Sequence, residues 1–190
     1  IALRVEKKVE AEKHGIKLTF LPFIIKVAIG ALKKHPGLNA TLDETANEIV
    51  YKKYYNIGIA VDTPEGLMVP IIKDADKKDV LEIAQEIQRC AQKCRDRTIE
   101  PKDLAGGTFT ITNIGSVGGI FATPIIPYGQ TGNLGVFRIK EKPTAIEGKV
   151  IVRPILTLAL SFDHRGVYGA EAARFMNELM KGLCGGPDGT

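Results

Sequence analysis

The sequence has little of what secreted, membrane and redox-active proteins carry. Its 190 residues include three cysteines, an odd number, and no Cys-x-x-Cys pair. A secreted disulfide framework is therefore excluded, and we expect a reducing compartment: the cytoplasm, or the mitochondrial matrix in a eukaryote. The longest apolar stretch, residues 20–32, contains Lys26 and is too short to cross a bilayer. The beginning of the chain, rich in Lys and Glu, is unlike a signal peptide.

The chain also lacks a strong excess of either charge, since 26 basic and 22 acidic residues leave a net charge of only +4. The basic residues are spread along the chain, so we expect neither a nucleic-acid nor a membrane partner, whereas a small anionic ligand would suit. Cys90 and Cys94 are one helical turn apart, but no histidine is near them in sequence. We therefore interpret them as packed small hydrophobes and expect no metal site.

Hydrophobic periodicity and turn residues predict alternating helices and strands in a single domain. The first helix has no visible cap, so we expect the domain to begin upstream of residue 1. Residues 184–189 are expected to form a frayed end. The predicted helices are 2–14, ended by Gly15, a second capped by Thr19 and running to Lys34, a third after Asp79, and a last from near Glu171. The predicted strands are 48–55, 56–61, 67–72, 108–114, 134–140 and 150–160. Turns are predicted at 62–66 and 147–148, and the polar segment 127–133 is also predicted to be rich in turns.

One histidine is distinguished by its position. His164 follows the long apolar run 150–160 and precedes the last helix, so a strand end fixes its backbone and a turn leaves its ring open. An imidazole can take a proton from a thiol or a hydroxyl near neutral pH. For a lone histidine, local hydrogen bonding within a turn is the plainer interpretation. The neighbouring residues therefore determine whether His164 is interpreted as a catalytic base or as a residue that stabilises the turn.

The strand 108–114 has strict two-residue periodicity. Phe109 and Ile111 share one face, and Thr108, Thr110 and Thr112 share the other. A threonine face is usually solvated and becomes chemically relevant only where it lines a channel. The glycine-rich segment 115–119 predicts a tight turn rather than a phosphate loop, because it lacks the Lys-Ser/Thr end and no helix clearly follows it.

Five motifs occur in a fixed order along nearly the whole chain: KLTFLPF at 17–23, LNA at 38–40, NIGIAVDTPEGL at 56–67, GGTFTITNIGS at 106–116 and DHR at 163–165. In this order and spacing the chain resembles the catalytic core of the dihydrolipoamide acyltransferase component of 2-oxo-acid dehydrogenase complexes. The resemblance implies an α/β fold similar to chloramphenicol acetyltransferase, a two-layer sandwich of a mixed β-sheet with helices packed on it. It also implies that 1–190 is one acyltransferase core, truncated at its N-terminus and lacking lipoyl and peripheral-subunit-binding domains.

A reaction is implied by the same resemblance: transfer of an acyl group between the thiol of coenzyme A and a thiol of dihydrolipoamide. The lipoyl group would come from a domain absent from this chain. His164 would be the general base, and the Thr112 hydroxyl would donate to the tetrahedral oxyanion, a contribution on the order of 3 kcal/mol. Family members place these two groups on different subunits of a homotrimer. The positions that match coenzyme A contacts of the family are Arg4, Thr19, Asp62 and Asn113.

The implied partners are further copies of the chain, as a trimer with a larger cage left open. Through the absent domains they include the decarboxylase and dihydrolipoamide dehydrogenase components. The sequence does not fix which acyl group is carried, because that depends on the shape of the pocket.

Three departures from the family pattern leave alternatives open. Tyr168 replaces the second acid of the motif Asp-His-Arg-x-x-Asp-Gly, segment 129–134 is polar where the family has an apolar strand, and 184–187 replaces an apolar anchor. The chain could thus be a structural oligomeric core with impaired catalysis, or an acetyltransferase for a free small molecule. The run 59–67 favours the lipoamide reaction over the latter. We expect the loop 165–169 to shift around the tyrosine ring and activity to fall.

Overall fold

The computed structural model describes residues 2–115 and 117–185, and within them the chain is an α/β protein. Its helices are α1 (Ala2–Lys13), α2 (Leu21–Lys34), α3 (Val80–Arg95), α4 (Pro101–Leu104) and α5 (Gly169–Cys184), with one 3₁₀ turn at Pro36–Asn39. Its strands are β1 (Ala40–Asp43), β2 (Glu48–Tyr51), β3 (Ile57–Ile59), β4 (Val61–Thr63), β5 (Gly66–Met68), β6 (Ile71–Ile72), β7 (Phe109–Asn113), β8 (Gly132–Val136), β9 (Lys140–Ile146), β10 (Lys149–Ile155) and β11 (Leu158–Phe162).

A mixed sheet with the strand order β11-β8-β7-β3-β6 positions the residues of interest. Strand β7 runs parallel to both β3 and β8, while β11 and β6 are antiparallel at the two edges. Thr112 lies opposite Gly135 on β8, and Gly135 lies opposite Ala159 on β11. The other strands pair as three hairpins, β1–β2, β4–β5 and β9–β10.

The main core lies between this sheet and helices α2 and α5. Phe109 and Ile111 of β7 are fully buried, as the two-residue periodicity predicted, and Phe109 packs against Phe175 of α5 with ring centroids 6.0 Å apart. Each large apolar side chain buried in this way contributes about 1.5–3 kcal/mol. The opposite face of β7 carries Thr110 and Thr112, and Thr108 precedes the strand directly.

Helix ends follow the predicted signals except at α2. Gly15, with φ of +67°, follows the end of α1 and stops the helix from continuing. Asp79 caps α3 in a reciprocal pair with Glu82. The prediction that Thr19 caps α2 is wrong, because Phe20 occupies the cap position and no side chain bonds there. Pro22 in the first turn lacks an N–H, so one of the unpaired donors that a cap would satisfy does not exist.

Several predicted strands are shorter than expected, or divided. The strand predicted at 48–55 stops at Tyr51, and 56–61 and 67–72 are each split between two strands. Pro70 separates β5 from β6 because it has no N–H to donate, although its carbonyl accepts from Ile59. The run 150–160 is also two strands, β10 in a hairpin and β11 in the central sheet. The turn at 147–148 is confirmed, with both residues at positive φ.

The segment predicted to be a polar turn contributes instead to the centre of the sheet. Strand β8 begins at Gly132 rather than at 134, and it ends at Val136 rather than at 140. A Cβ on Gly132 would lie 2.7 Å from the Phe109 ring, so only glycine fits at this crossing. The hydroxyl of buried Thr131 donates to the carbonyl of Gly37 at 2.8 Å. The polar residues of this segment are thus paired and packed.

Two predictions depend partly on residues outside the described ranges. The turn at 115–119 is confirmed by the bond from Gly119 N–H to the Ile114 carbonyl, but Ser116 is not described. The predicted frayed end falls mostly on residues 186–189, also outside the described ranges, while Gly185 forms the left-handed end of α5. Across the described residues, no helix combines the length and apolar character needed to span a bilayer.

Candidate active site

His164 lies in the loop that joins β11 to α5, as predicted. The loop is held at Asp163, whose N–H donates to the Thr131 carbonyl and whose own carbonyl accepts from the N–H groups of Gly166 and Val167. The His164 ring is exposed and sits between aromatic neighbours, with centroids 5.5 Å from Phe162 and 6.1 Å from Tyr168. The backbone is therefore fixed while the imidazole stays open to a reactant.

Charge around the histidine is organised by Arg165. Its guanidinium forms a bidentate pair with the Asp163 carboxylate, with N–O distances of 2.7 to 3.2 Å, and also donates to Glu44 at 2.6 Å. The Arg165 side chain holds the pKa of the Asp163 carboxyl below its ordinary value. The two carboxylates raise the pKa of Arg165. Glu44 belongs to the turn between β1 and β2, so this contact ties that hairpin to the histidine loop.

Thr112 lies on the threonine face of β7 and is half-buried. Its hydroxyl donates to Oδ1 of Asn133 on β8 at 3.1 Å, and the Thr110 hydroxyl makes a similar bond to Oε1 of Gln130 at 2.7 Å. Thr110 and Asn133 are buried. This face is thus an enclosed polar layer, not the solvated face that a threonine stripe usually is.

Within one chain, His164 and Thr112 lie far apart. Thr112 is level with Ala159 across the sheet, and Ala159 precedes the end of β11 by three residues. Three residues of strand cover about 10 Å, and the two strand spacings from β7 to β11 add about 10 Å at right angles. The Cα atoms of Thr112 and Phe162 are therefore about 14 Å apart, and His164 lies two residues beyond Phe162 in the loop that leaves the sheet.

Two of the four positions matched to coenzyme A contacts meet in one cleft. Thr19 and Asn113 both line a cavity of about 360 Å³ beside the end of β7. Arg4 lies close by: its guanidinium donates to the Leu18 carbonyl at 3.0 Å and stands 4.9 Å from the centre of the Phe20 ring, which lines the cleft. Asp62 is exposed on the β4–β5 hairpin, outside this lining. The rest of the lining is mainly apolar, with Leu21, Ile24, Val136, Phe137, Ile139 and Leu156.

A second, wider groove of about 750 Å³ adjoins the first. It runs between the end of α1, the start of α2 and the length of α3, and Thr19 borders both spaces. Its lining is basic where the first is apolar, and the basic side chains are His14, Lys17, Arg89 and Arg95. The two spaces together offer an apolar channel continued by a positively charged surface.

The sequence interpretation missed two residues. Arg138, just after β8, lines the apolar cleft and is its basic side chain. The sequence feature that could have indicated Arg138 is an arginine directly after the buried strand β8. Strand β7 ends at the same level, since Asn113 lies opposite Val136. Asn133 was assigned to a turn, and no sequence pattern indicated that its amide would face Thr112.

Two of the three cysteines are poor candidates for a nucleophile, and the third, Cys184, is exposed at the end of α5. Cys90 and Cys94 are buried on α3, and burial raises the pKa of both thiols. Thiols in this state are poorly nucleophilic. Among residues 2–115 and 117–185, no group of three or more His, Cys, Asp or Glu side chains is placed to hold a metal ion.

Tyr168 occupies the N-cap of α5. Its backbone is extended, with φ of −91° and ψ of 153°, and its side chain makes no cap bond. Asp is among the strongest N-cap residues and Tyr is not. The ring projects into solvent, so the loop holds it without steric conflict. The structure therefore shows no crowding of the kind predicted to displace loop 165–169.

Comparison with known proteins places this geometry in context. The family model for the catalytic domain of 2-oxoacid dehydrogenase acyltransferases matches residues 1–185. The dihydrolipoyllysine-residue acetyltransferase component of the pyruvate dehydrogenase complex of Staphylococcus epidermidis is 46% identical over 175 residues. Those residues are 92% of this chain and 40% of that protein, so the chain spans well under half the length of such relatives.

Solved structures agree with the sequence comparison. The dihydrolipoamide acetyltransferase of Azotobacter vinelandii, studied for the roles of a serine, a histidine and an asparagine in its catalytic mechanism, superposes with a TM-score of 0.90 at 40% identity. The alignment covers 96% of this chain and 74% of that one, and the cubic core of the pyruvate dehydrogenase multienzyme complex gives the same values. Chloramphenicol acetyltransferase, at 13% identity and a TM-score of 0.56, shares the fold alone. The predicted fold and the predicted resemblance are both confirmed.

Proposed function

We propose a reaction from one premise: the chain belongs to the 2-oxoacid dehydrogenase acyltransferase (catalytic domain) family. The reaction is transfer of an acyl group between coenzyme A and dihydrolipoamide, in the core of a 2-oxo-acid dehydrogenase complex. The lipoyl group would be delivered by a lipoyl domain, and the decarboxylase and dihydrolipoamide dehydrogenase would be reached through segments other than this one.

The observation that carries the proposal is a spacing. In the Azotobacter enzyme the studied serine precedes the studied histidine by 52 positions, and the asparagine follows that histidine by four. In this chain Thr112 precedes His164 by 52 positions, and Tyr168 follows it by four. A hydroxyl and an imidazole thus recur at the same separation, and only the third position changes, from an amide to a phenol.

These two groups suit thioester exchange. In the proposed mechanism the His164 imidazole takes the proton of the attacking thiol, and the thiolate adds to the carbonyl carbon of the acyl thioester. The resulting oxyanion receives a hydrogen bond from the Thr112 hydroxyl. When the tetrahedral intermediate collapses, the C–S bond to the departing thiol breaks, and the imidazolium returns its proton to that sulfur. Protons and bonds balance with no further reagent.

A second copy of the chain would complete the site, because within one copy the end of β11, which leads into the His164 loop, lies about 14 Å from Thr112. Exposed apolar side chains are available for such contacts on the segment before β8 and on the β9–β10 hairpin, among them Phe121, Ile125, Val150 and Val152. We infer a trimer whose sites each take His164 from one subunit and Thr112 from the next. The similarity to the cubic core supports assembly of trimers into a cage.

The proposed coenzyme A site uses both grooves. The thiol-bearing arm of coenzyme A is long and uncharged, with methylene groups between two amides, which suits an apolar cleft that carries the polar side chains of Thr19 and Asn113. The phosphates would lie toward the basic groove, where Lys17 and Arg95 are exposed, with Arg138 and Arg4 near the passage between the two. Clefts of several hundred Å³ with a few polar groups are typical of small-molecule sites.

The test is acyl transfer from acetyl-, isobutyryl- and succinyl-coenzyme A to dihydrolipoamide by the purified chain. His164→Ala should lower turnover about 100- to 10,000-fold, the usual contribution of a general base. A loss smaller than tenfold would remove His164 from the mechanism.

Subunit complementation tests the shared site. His164→Ala and Thr112→Val subunits, each impaired alone, are refolded together so that mixed trimers form. In a mixed trimer some interfaces combine an intact His164 with an intact Thr112, so activity should return to a substantial fraction of the parent value. Mixed trimers, verified by mass, that stay inactive would contradict sharing between subunits.

One observation favours a second candidate function, an assembled scaffold without turnover. Tyr168 stands where the Azotobacter enzyme has the asparagine whose role in catalysis was studied. For a scaffold, light scattering would give a trimer or larger assembly while all three acyl donors give no transfer.

A further inference from the structure

Asn133 and Thr112 form a pair whose hydrogen-bond direction is fixed by a third group. The Asn133 amide nitrogen donates to the carbonyl of Ile125 at 2.6 Å, and its oxygen lies 3.1 Å from the Thr112 hydroxyl. A carbonyl only accepts, so the amide nitrogen must face Ile125. The amide oxygen then faces Thr112, and the Thr112 hydroxyl must be the donor.

This direction matters because a threonine hydroxyl has one proton. While that proton is given to Asn133, it cannot point at a developing oxyanion. Turning it toward the oxyanion would leave the hydroxyl and amide oxygens facing each other with no proton between them. The Asn133 amide could relieve this only by flipping, which would place its oxygen against the Ile125 carbonyl. Donors that reorient during the reaction stabilise a transition state less than donors already aimed at it.

Burial makes the pair persistent. Asn133 is 2% exposed and Thr112 is half-buried, so water competes poorly for either bond. Gly135, opposite Thr112 on β8, has no side chain to separate the two residues. The Ile125 side chain is exposed, so that carbonyl is near solvent and can bond to water if the amide is removed.

We propose that Asn133 is a positioning residue that restrains catalysis by holding the Thr112 proton away from the oxyanion. The proposal rests on the proposed function of Thr112 as the oxyanion donor. Turnover of this chain would then be lower than its catalytic groups allow. The limit would come from the Asn133 amide on β8 and not from the loop that carries His164.

The experiment compares turnover of Asn133→Leu, a variant of similar shape with no hydrogen-bonding group, with that of the parent in the dihydrolipoamide assay. Turnover should rise about two- to tenfold, the size of one neutral hydrogen bond, and the Michaelis constant for coenzyme A should stay unchanged. In the Thr112→Val background the same substitution should have no effect, because the effect passes through that hydroxyl. Asn133→Ala, which cannot overfill the site, is the second variant if the leucine does not fold.

Gln130→Leu is the matched control, since Gln130, two residues before β8, accepts from the neighbouring Thr110 of β7 in an equivalent pair. It should not raise turnover. Unchanged or lower turnover in both Asn133 variants, or a gain that persists without the Thr112 hydroxyl, overturns the proposal. A parent chain with no acyl transfer at all overturns the proposed function, and this inference with it; a parent that turns over but gains nothing overturns the inference alone.

Discussion

The rings of Tyr168 and His164 meet edge to face, with centroids 6.1 Å apart and planes at 80°. The two residues are one helical turn apart in sequence, at the point where the histidine loop becomes α5. An edge-to-face pair of this kind is worth about 0.5–1.5 kcal/mol beyond its buried area. The tyrosine therefore helps to orient the imidazole while leaving α5 without a side-chain cap.

Replacing Tyr168 separates these two roles. Tyr168→Asp should stabilise the fold by about 0.5–2 kcal/mol, because the carboxylate can cap α5 and favours the positive end of the helix. Tyr168→Ser should give a similar gain, since it supplies the cap without the charge. Both gains are measured by urea unfolding.

Turnover distinguishes the charge from the cap. A rise in turnover for Tyr168→Asp and not for Tyr168→Ser would show that the chain lacks a carboxylate beside its base. Lower turnover in both would mean that the ring itself orients His164, and that the site is adapted to tyrosine.

Thr112→Val should lower turnover and leave the Michaelis constant for coenzyme A nearly unchanged. Valine keeps the shape and removes the hydroxyl, and a donor used only in the transition state affects turnover alone. Removing a single oxyanion donor usually lowers turnover about 100- to 1,000-fold. The loss should be smaller in this chain, because the bond to Asn133 already keeps the Thr112 proton from the oxyanion. Steady-state kinetics give both constants, and a variant impaired only in its Michaelis constant would assign Thr112 to binding.

Lys17→Glu should raise the Michaelis constant for coenzyme A and spare turnover, because it reverses a charge in the basic groove that would face the phosphates. The rise should shrink as salt is added, since exposed charges are screened. Lys8→Glu on the exposed side of α1 is the control for net charge and should have little effect. Equal effects of the two substitutions would place the phosphates elsewhere.

The pair between Asp163 and Arg165 predicts a pH-dependent contribution to stability. Arg165 lowers the pKa of the Asp163 carboxyl in the folded protein, so the folded state binds fewer protons there than the unfolded state. The contribution is fully present above the ordinary carboxyl pKa of about 4 and is lost as the pH falls through the folded value.

The free energies of unfolding of the parent and of Asp163→Asn, measured in urea, should therefore differ most at neutral pH and converge as the pH falls through the lowered pKa of Asp163. The difference should be modest and sensitive to salt, because the arginine is exposed. A difference that widens toward acid pH would have the opposite sign and would contradict the ion-pair assignment.

Gly132→Ala should destabilise the fold by about 1–3 kcal/mol, because the added methyl meets the Phe109 ring and Leu38 in a closed core. Gly30→Ala is the matched control. Gly30 lies on the exposed side of α2 with no heavy atom near the new methyl, and that substitution should stabilise by about 0.5–1 kcal/mol. Thermal unfolding of the two variants should thus move in opposite directions.

The parts of the fold that depend on local pattern could be predicted from the sequence. The capping pair of Asp79 and Glu82, the buried face of β7 and the apolar faces of the helices are each set by residues close together in the chain. The location of His164 at a strand end followed in the same way, from an apolar run that stops and a helix that begins. Only the resemblance, not the pattern, singled out Thr112 within its stripe.

What could not be predicted depends on distant residues. Strand β8 looked like a turn because Gly132 and Asn133 have weak strand preference, and the reason for that glycine is Phe109, 23 positions earlier. The division of 150–160 is set by two different partners, β9 and β8. The donor direction of Thr112 depends on a backbone carbonyl at Ile125. None of these relationships leaves a periodic signal in the sequence.

The close packing of α2 on α5 has a consequence for how the chain is made. A Cβ on Gly182 would clash with a Val27 methyl, so the backbone of α5 packs directly against a side chain of α2 at this point. One is synthesised near the start of these 190 residues and the other near the end. At about 5–20 residues per second, residues 35–182, from the end of α2 to Gly182, take roughly 7 to 30 s to synthesise, and α5 cannot cover α2 until then. Folding of this core is therefore completed only after synthesis of α5, and until then the nascent chain presents a ready-made apolar stripe to chaperones.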